Sequence, residues 1–452
     1  MHDLANLSRL ALLAGTAATL AGCATRGSLV MDCPELNPKL VESRHDEVLN
    51  CDAPGRPACK AGSRTLSAAA NADGMATAIA AAIAAGQDGK QNVLLLSGGG
   101  QWGAFGAGLL NELNDPSGNL VQPENPLLNL SVSTCISTGC FQQLFLSAHL
   151  GGYAGALEKM ETLYKPESEK ELVNRNSKYL AVITGSLAGF KPLRRAIDRE
   201  LQATDSSGKT LLDAIANAPV PAYAGFVDFA ANQLMQVDLR ELARLRDKKE
   251  ARTCLAAVTL ASSAIPFNYQ QVRIRHRDGS SQNAPTVLRT YVDGGVSRGV
   301  FFDQAAKGAQ QGYTESVAKR QQLKLSDAIA PTIYVVRNGP TYVEVDLRRE
   351  QLDRNDYNAL TAVENVVSSL VNRMEQDSIT GLRVNYPNGP IKFVTANGFH
   401  QFQWESKTKG CPRTDSETFF ETRFMACLAA YGHYKARNGP WTDLPISEAA
   451  SK

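Results

Sequence analysis

The sequence predicts an α/β fold in which a mostly parallel central sheet is covered by helices on both faces. Short apolar runs, such as Val93–Leu96, alternate along the chain with segments of helical character. A glycine-rich turn follows that run directly, and no fixed-period repeat is visible. Strands that alternate with helices build parallel sheets, because each helical crossover returns the chain to the same edge of the sheet.

The composition allows a sizeable core and argues against one class of partner. The chain has 452 residues, of which 43% are hydrophobic and 20% are charged, as in ordinary globular proteins. Its formal net charge is +2 and no basic run with interleaved aromatics occurs, so we expect no nucleic-acid partner. No cysteine and histidine spacing typical of zinc occurs, so we expect no metal site.

Residues 1–22 predict a lipoprotein signal peptide. The apolar stretch Leu10–Leu20 is too short to span a bilayer and has the length of a signal-peptide core. The segment Leu20–Cys23, which reads LAGC, resembles the lipobox of bacterial lipoproteins, in which the signal is cut before the cysteine and the cysteine thiol is lipidated. The resemblance implies that acyl chains such as palmitate on Cys23 anchor the protein in the bacterial cell envelope. Ala24 in the next position implies the outer membrane, facing the periplasm. The alternative is an ordinary signal peptide with a chance cysteine.

Export would place the remaining cysteines in an oxidising compartment. Five cysteines in the terminal regions are disulfide candidates: Cys33, Cys51, Cys59, Cys411 and Cys427. Cys411–Cys427 is the favoured pair, and the connectivity of the first three stays open. Three cysteines in apolar contexts are interpreted as buried thiols: Cys135, Cys140 and Cys254.

The chain divides into four segments. We expect residues 23–90 to form a tether and an alanine-rich helix, 91–400 the α/β domain, and 401–452 a C-terminal helical extension. Strands are predicted within residues 91–100, 126–135, 222–239 (a hairpin), 286–295 and 330–339. Helices are predicted within residues 104–113, 138–150, 253–265, 355–380 and 416–437. Residues 151–215 are more polar and helical. Within them, the apolar stretch 178–190 suits an acyl pocket or lid, or equally the core.

The glycine-rich stretch has two functional interpretations. Four of its glycines carry the pattern: Gly98, Gly99, Gly100 and Gly103. Three of them fit the G-x-G-x-x-G pattern of dinucleotide-binding loops. The dinucleotide-binding interpretation requires an acidic residue at the end of the next strand, whereas Glu112 and Asp115 fall within or after the predicted helix. Alternatively, backbone amides at this turn form an oxyanion hole, which stabilises an oxygen that becomes negative during a reaction.

A candidate nucleophile lies between the next strand and helix. Cys135-Ile136-Ser137-Thr138-Gly139 matches G-x-S-x-G with the first glycine replaced. This pattern is typical of a nucleophile elbow, a strained strand-to-helix turn that exposes the serine hydroxyl. Four other serines are interpreted as packing or capping residues: Ser131, Ser133, Ser262 and Ser263.

Asp293 is the candidate base for this serine. It ends the predicted strand TVLRTYVD and is followed by Gly294-Gly295. A serine hydroxyl needs such a base to become a nucleophile, although a lone strand-end aspartate is usually a turn or cap residue. His400 and His433 would permit a Ser–Asp–His triad by chain order. Their contexts, NGFHQF and YGHYKA, indicate surface or tail positions, and His149 is interpreted as a core residue, so we favour a Ser–Asp dyad.

These motifs, in this order, resemble the patatin-like phospholipase family of serine acyl hydrolases. The resemblance rests on the glycine-rich loop Ser97–Gly103, the elbow Cys135–Gly139, the segment Ala261–Phe267 and Asp293–Gly295. It runs from about Asn92 to about Gly398. Two departures stand out: Trp102 replaces a basic residue found in many members, and Cys135 replaces glycine. Trp102 is interpreted as a pocket wall or a packing residue.

The resemblance implies a fold, a mechanism and a substrate class. It implies a three-layer α/β/α patatin-like fold with Ser137 as nucleophile and Asp293 as base. Amides of Gly99 and Gly100 would form the oxyanion hole, with Gly98 and Gly103 shaping the loop. The substrate would be an acyl lipid, and no cofactor is implied. Because an ordinary aspartate with a pKa of about 3.9 is a weak base, we expect burial to raise this pKa or positioning to compensate.

The sequence therefore predicts a membrane-anchored lipid acyl hydrolase, a phospholipase or esterase. Two alternatives stay open. One is a nucleotide-binding module that uses the same glycines. The other is a non-catalytic envelope lipoprotein of the same fold that binds lipid or a protein partner.

Overall fold

The structure is a computed structural model of the chain. It describes residues 27–37, 39–40, 80–81, 83, 91–114, 125–177, 181, 184–278, 283–300, 302–322, 330–341, 359–405, 408–412 and 418–444. The predicted signal peptide, most of the alanine-rich segment and a few named residues lie outside these ranges. Those residues are Cys23, Cys51, Cys59 and Asp115.

Strands and helices alternate through most of the described chain. The strands are β1 (Ser28–Asp32), β2 (Lys39–Leu40), β3 (Asn92–Leu96), β4 (Leu130–Ile136), β5 (Asn174–Arg175), β6 (Ser186–Gly189), β7 (Ala222–Asp228), β8 (Gln233–Asp238), β9 (Phe267–Tyr269), β10 (Gln271–Arg277), β11 (Thr286–Asp293), β12 (Thr332–Val336), β13 (Ile391–Val394), β14 (Gln403–Glu405), β15 (Thr408–Lys409) and β16 (Thr442–Asp443). The helices are α1 (Gly103–Leu113), α2 (Thr138–Leu150), α3 (Ala156–Leu163), α4 (Lys191–Gln202), α5 (Leu211–Asn217), α6 (Leu239–Ala243), α7 (Lys248–Ser262), α8 (Phe302–Gln322), α9 (Ala359–Asn385) and α10 (Thr422–Arg437).

The central sheet has eleven strands, and its middle is parallel. The strand order is β1-β10-β11-β7-β4-β3-β12-β13-β16, with β8 paired to β7 and β2 paired to β8. The five strands β7, β4, β3, β12 and β13 all run in one direction. The predicted α/β fold with a mostly parallel sheet is confirmed.

Strand β3 explains why helices cover both faces of the sheet. Its residues are buried on both sides: Leu94 and Leu96 face the core formed with α1, α2, α7 and α10, while Val93 and Leu95 face the core that contains residues of α8 and α9. Strands that are apolar on both faces belong in the interior of a three-layer structure. The alternation of side chains along β3 thus places one hydrophobic core on each side of the sheet.

Two terminal segments join the main fold more closely than the sequence suggests. Strand β1 lies in the predicted tether, yet it pairs in parallel with β10, and Cys33 just after it is bonded to Cys254 of α7. Part of the predicted tether is therefore an integral strand of the sheet. With only five residues, this strand is too short for its apolar periodicity to be recognised in the sequence. Near the other terminus, α10 packs on α1, where a Cβ on Gly108 would lie 2.1 Å from the Ala429 carbonyl oxygen.

None of the helices in the described part of the chain is long and apolar enough to cross a lipid bilayer.

Candidate active site

Ser137 occupies a strained turn between β4 and α2. Its backbone has φ 54° and ψ −127°, in the positive-φ region that non-glycine residues rarely adopt. The turn is tight because α2 passes close to β3: a Cβ on Gly139 would lie 2.7 Å from the Leu96 carbonyl oxygen. Glycine is therefore required at position 139, and the geometry is the nucleophile elbow that the motif predicts.

Ser262 fixes the elbow from the end of α7. The Ser137 amide donates to Ser262 Oγ at 2.8 Å, and Ser262 Oγ donates to the Gly225 carbonyl at 2.6 Å. Ser262 was interpreted from the sequence as packing or capping. Its contact with Ser137 spans 125 residues of chain, and nothing in the local sequence indicates it.

The sheet register brings Asp293 level with Ser137. Ile136 of β4 pairs with Gly225 of β7, and the next residue of β7, Phe226, pairs with Asp293 of β11. Close backbone packing follows, since a Cβ on Gly294 would lie 2.8 Å from the Gly225 carbonyl oxygen. The two predicted catalytic residues therefore meet at one point of the sheet.

Burial controls the chemistry of Asp293. The side chain is only 1% exposed, and Oδ1 accepts a hydrogen bond from the Gly295 amide at 2.6 Å. Burial raises the pKa of Asp293 to about 7, partly offset by hydrogen bonding with the Ser137 side chain and the Gly295 amide. Within the described residues, Oδ2 has no partner at full hydrogen-bond geometry. The Ser137 contact is therefore looser than a full hydrogen bond.

The glycine loop lies directly over Ser137. A Cβ on Gly98 would lie 3.2 Å from the Ser137 Cβ, so any larger residue there would crowd the serine. Gly99 has φ 146° and Gly100 has φ 56°, and both values favour glycine. In the part of the chain that the structure describes, no group accepts a hydrogen bond from the amides of Gly98, Gly99 or Gly100. These amides can donate to a negative oxygen at Ser137.

Asn338 and Gln142 hold both ends of this loop. Asn338 Nδ2 donates to the Ser97 carbonyl at 2.8 Å, and Gln142 Nε2 donates to the Gly103 carbonyl at 2.7 Å. The two side chains also bond each other, through Gln142 Nε2 to Asn338 Oδ1 at 3.0 Å and Asn338 Nδ2 to Gln142 Oε1 at 3.1 Å. Both residues are buried. We call this pair the loop clamp, and the sequence analysis missed it.

Ser97 completes the clamp. Its Oγ accepts from the Asn338 amide at 2.9 Å and donates to the Gly98 carbonyl at 2.8 Å. Side chains thus take up the carbonyls of Ser97, Gly98 and Gly103, while the amides of Gly98, Gly99 and Gly100 have no acceptor among the described residues. The only local sequence signal is a polar residue two positions after β12, at the carboxyl edge of the sheet.

The cysteines pair differently from the expectation. Cys135 and Cys140, expected to be buried thiols, form a disulfide that encloses Ser137 within the elbow. Cys254, also expected to be a thiol, is bonded to Cys33. Both corrections have one cause: the fold brings apolar cysteines together, and apolar sequence context does not reveal that. The predicted Cys411–Cys427 pair is confirmed.

Trp102 packs against two aromatic rings, and His433 links helices through two glutamates. Trp102 packs edge-to-face on Phe399 and Phe424, each with 5.0 Å between ring centroids, which supports the packing interpretation. His433 Nδ1 bonds Glu112 Oε2 at 2.6 Å and its Nε2 bonds Glu161 Oε2 at 2.8 Å, so it ties α10 to α1 and α3. His400 is exposed.

Glu112 is not available for the nucleotide-binding alternative. Glu112 is bound by His433 and also by Arg437, at 2.7 and 2.8 Å, and it lies on a helix, not at a strand end. As for metal ions, the described residues contain no group of three or more histidine, cysteine, aspartate or glutamate side chains that could hold one.

An aromatic cluster surrounds Tyr269, a buried residue on which the charge of Asp293 acts. Phe190 stacks on Tyr269 with 5.1 Å between ring centroids, and the rings of Phe419 and Phe420 lie against Tyr269 at 5.2 and 6.2 Å. Burial raises the pKa of Tyr269, and the carboxylates of Glu169 and Asp293 add to that rise. Phe190 and Tyr269 are buried, and Phe419 and Phe420 are the half-buried rings of this cluster. Phe190 ends the predicted acyl-pocket stretch, whose residues 178–180 and 182–183 lie outside the described ranges.

One comparison with known proteins, a family model, covers this site. Residues 94–306 match the family model described as patatin-like phospholipase, and this range contains Ser137, Asp293 and the glycine loop. Among solved structures, the crystal structure of VipD from Legionella pneumophila is similar at 10% identity with a TM-score of 0.32, covering 78% of this chain and 68% of that one. No curated protein matches significantly. Residues 94–306 are thus similar to patatin-like phospholipases, and the observed sheet and helices are consistent with an α/β/α fold.

Proposed function

We propose that this protein hydrolyses the carboxylic esters of acyl lipids through an acyl-enzyme on Ser137, with Asp293 as the base. The match to the patatin-like phospholipase family model supports lipid acyl hydrolase activity in general. The observation that carries the finer proposal is the juxtaposition of a strained serine with a fully buried carboxyl whose pKa is about 7.

The first half-reaction forms the acyl-enzyme. Asp293 accepts the hydroxyl proton as Ser137 Oγ attacks the ester carbonyl carbon. The carbonyl oxygen becomes an oxyanion, to which the amides of Gly99 and Gly100 donate. When the intermediate collapses, the C–O bond to the alcohol breaks and Asp293 returns the proton to the leaving oxygen.

The second half-reaction releases the fatty acid. Asp293 takes a proton from a water molecule, whose oxygen attacks the acyl carbon, and a second oxyanion forms in the same position. Collapse breaks the bond to Ser137 Oγ, and Asp293 returns the proton to it. With a pKa of about 7, Asp293 is close to the proton affinity that suits a general base at neutral pH.

The surroundings of the site favour an acyl substrate. The half-buried rings of Phe419 and Phe420 offer an apolar surface against the buried ring of Tyr269, whose pKa is raised by burial and, in part, by the charge of Asp293. Hydrocarbon chains gain about 0.8 kcal/mol for each buried CH₂ group. An aromatic surface of this kind therefore suits a lipid ester better than a short polar ester.

We further propose that acylation of Cys23 anchors the protein to the outer membrane, facing the periplasm. The Leu20–Cys23 segment supports this, and three disulfides among the described cysteines fit an oxidising compartment. Radiolabelled palmitate, followed by membrane fractionation of wild type and Cys23→Ser, tests the anchor. Incorporation into both proteins, or into neither, would refute it.

Hydrolysis assays with three variants test the reaction. Wild type, Ser137→Ala, Asp293→Asn and the control Ser263→Ala would be compared on nitrophenyl esters and on labelled phospholipids. We expect background turnover for Ser137→Ala, a loss of about 10²- to 10⁴-fold for Asp293→Asn, and unchanged turnover for Ser263→Ala. The kcat/KM of wild type should rise with pH through about 7.

The alternative is a non-catalytic protein that binds lipid or a protein partner. In the elbow, the disulfide-bonded Cys135 occupies the position where the family pattern has glycine. Wild-type protein that hydrolyses neither ester class, yet binds lipid vesicles, would establish that alternative.

A further inference from the structure

A basic groove lies between α4 and α7, alongside β1. Its volume is about 710 Å³, and Leu29, Met31 and Ala256 provide apolar lining. Six cationic side chains line it: Lys191, Arg194, Arg195, Arg199, Lys249 and Arg252. The lining contains one carboxylate, that of Asp198. A net charge of +2 for the whole chain makes this local excess of positive charge conspicuous.

Helical spacing gathers these cations on two facing surfaces. On α4 they lie at positions 191, 194, 195 and 199, with spacings of three and four residues that share one helix face. Lys249 and Arg252 have the same relation on α7. Asp198 bonds Arg252 Nε at 3.0 Å across the groove and so neutralises one cation.

Most of the other cations lack a carboxylate partner. Arg199 Nε reaches Glu200 at 3.0 Å, but that carboxylate also binds Lys159 at 3.0 Å. Arg195 Nε donates only to the Lys191 backbone carbonyl, at 3.4 Å. Within the described ranges no carboxylate forms an ion pair with Lys191, Arg194 or Lys249. Like charges in one groove repel, so an anion bound there would stabilise it.

The size of the patch favours a surface of several phosphates over one free anion. The α4 cations span eight residues, about 12 Å along the helix axis. A single phosphate can contact only part of that length. Adjacent phospholipid headgroups in a membrane present phosphates over such a distance.

The chain's own geometry places this groove near a membrane. Strand β1, which lines the groove, begins at Ser28, five residues after Cys23. Five extended residues reach at most about 18 Å. This step rests on the proposed acyl anchor: with Cys23 held in the bilayer, the start of β1 stays within that reach of the headgroups.

We propose that the groove between α4 and α7 binds anionic phospholipid headgroups and so docks the protein on an anionic membrane. The groove is separate from the reacting atoms. Helix α7 carries Ser262, which holds the elbow, ten residues after Arg252, about 15 Å along the axis. Substitutions in the groove should therefore change membrane binding and leave hydrolysis of a soluble ester unchanged.

Vesicle co-sedimentation of the full chain tests the proposal. All proteins carry Cys23→Ser, which removes the acyl anchor, and Ser137→Ala, which makes binding independent of catalysis. The groove variant carries Lys191→Gln, Arg194→Gln and Lys249→Gln. The control variant carries Lys307→Gln, Lys319→Gln and Arg373→Gln on α8 and α9, which contribute to the core on the other face of the sheet. Both variants lose two lysines and one arginine.

We expect the parent protein to bind phosphatidylglycerol vesicles at least tenfold more tightly than phosphatidylcholine vesicles at 0.1 M salt. Each cation near an anionic membrane surface contributes about fivefold, so the groove variant should lose up to about 100-fold in affinity. The control variant should stay within about threefold of the parent. Equal losses in both variants, or no loss in the groove variant, would overturn the proposal.

Inorganic phosphate distinguishes a lipid surface from a free anion. At constant ionic strength, 1 mM phosphate should leave vesicle binding nearly unchanged, because one phosphate contacts few of the cations. Complete displacement would overturn the lipid assignment in favour of a free phosphate ligand. In the Ser137-containing background, nitrophenyl ester hydrolysis by the groove variant should equal that of wild type, so a failed docking test and a failed hydrolase assignment give different results.

Discussion

Ser137 and Asp293 lie at the same level of the central sheet, although β7 separates the strands that carry them. The intervening strand sets the spacing, since neighbouring strands lie about 4.8 Å apart. Ser262 adds a second connection by bonding both the Ser137 amide and the Gly225 carbonyl of β7. The dyad is therefore positioned by backbone pairing that no single residue controls.

Replacing Asp293 with asparagine should stabilise the protein in a pH-dependent way. Burial raises the pKa of Asp293 from 3.8 to about 7. The native state therefore holds this proton more tightly than the unfolded state. The contribution of protonated Asp293 to the free energy of unfolding is therefore complete below about pH 3.8 and is lost as the pH rises through 7.

Asparagine avoids that loss. Above pH 7 the variant should be more stable than wild type by at most about 4 kcal/mol, and the difference should vanish near pH 4. Urea unfolding at pH 4 and pH 8 measures it. A variant that is less stable than wild type at pH 8 would contradict the assigned burial penalty.

Loss of the loop clamp should slow turnover. Asn338→Ala removes the donor to the Ser97 carbonyl and leaves Gln142 without its partner. Because misplaced oxyanion donors impair mainly the transition state, we expect kcat to fall by about 10- to 100-fold with KM within about threefold. Asn125→Ala is the control, since Asn125 bonds the Leu113 carbonyl at the far end of α1. Equal kinetic losses in both variants would assign Asn338 a general structural role.

The elbow disulfide should support both stability and rate. A cross-link five residues apart contributes about 2 kcal/mol in the loop-entropy description, so Cys135→Ala/Cys140→Ala should lose about that much. Its kcat should also fall, because the bridge encloses Ser137. Cys411→Ala/Cys427→Ala is the matched control: it should lose about 3 kcal/mol yet retain its kcat. Unchanged kcat in the elbow variant would limit that disulfide to stability.

His433 should stabilise the protein at mildly acidic pH. Burial alone would lower the pKa of His433, but hydrogen bonds and charge from Glu161 and Glu112 raise it. Burial would likewise raise the pKa of Glu161, but hydrogen bonds from His433, Lys165 and Asn111 lower it to about 2. The charged His433 imidazolium thus contributes fully to the free energy of unfolding below about pH 6.5. This contribution is lost as the pH rises through the raised pKa of His433.

His433→Gln cannot carry that charge. At pH 6 it should lower the free energy of unfolding by about 1.5–3 kcal/mol, and the deficit should shrink at pH 9. His400→Gln, at an exposed histidine, should change little at either pH. Denaturant unfolding at both pH values is the measurement. A deficit that does not depend on pH would exclude the charged pair.

The fold and the juxtaposition of Ser137 with Asp293 were predictable because their sequence signals are local. Helix α2 has the predicted bounds, since its apolar run is flanked by the elbow and by glycine. The match to a family model over residues 94–306 agrees with the ordered motifs. Residues 28–32 gave no such signal, because five residues carry too little periodicity to separate a strand from a loop.

The contacts that support Ser137 and the glycine loop depend on sheet topology and could not be predicted from the sequence. Asn338 and Ser97 are 241 residues apart, and only the parallel pairing of β12 with β3 brings them together. The bond between Cys33 and Cys254 likewise requires that β1 lie beside α7. Cys135 and Cys140 lie only five residues apart, yet their apolar local context does not show whether they are bonded.

Reaction of Ser137 with an alkyl fluorophosphonate tests the central claim most directly. Folded wild-type protein would be treated with the probe, digested, and mapped by mass spectrometry. We expect one adduct, on Ser137, that forms about 10²- to 10⁴-fold more slowly in Asp293→Asn and is absent from Ser137→Ala. Wild-type protein that hydrolyses esters while Ser137 stays unlabelled, or a Ser137→Ala variant with full turnover, would contradict it.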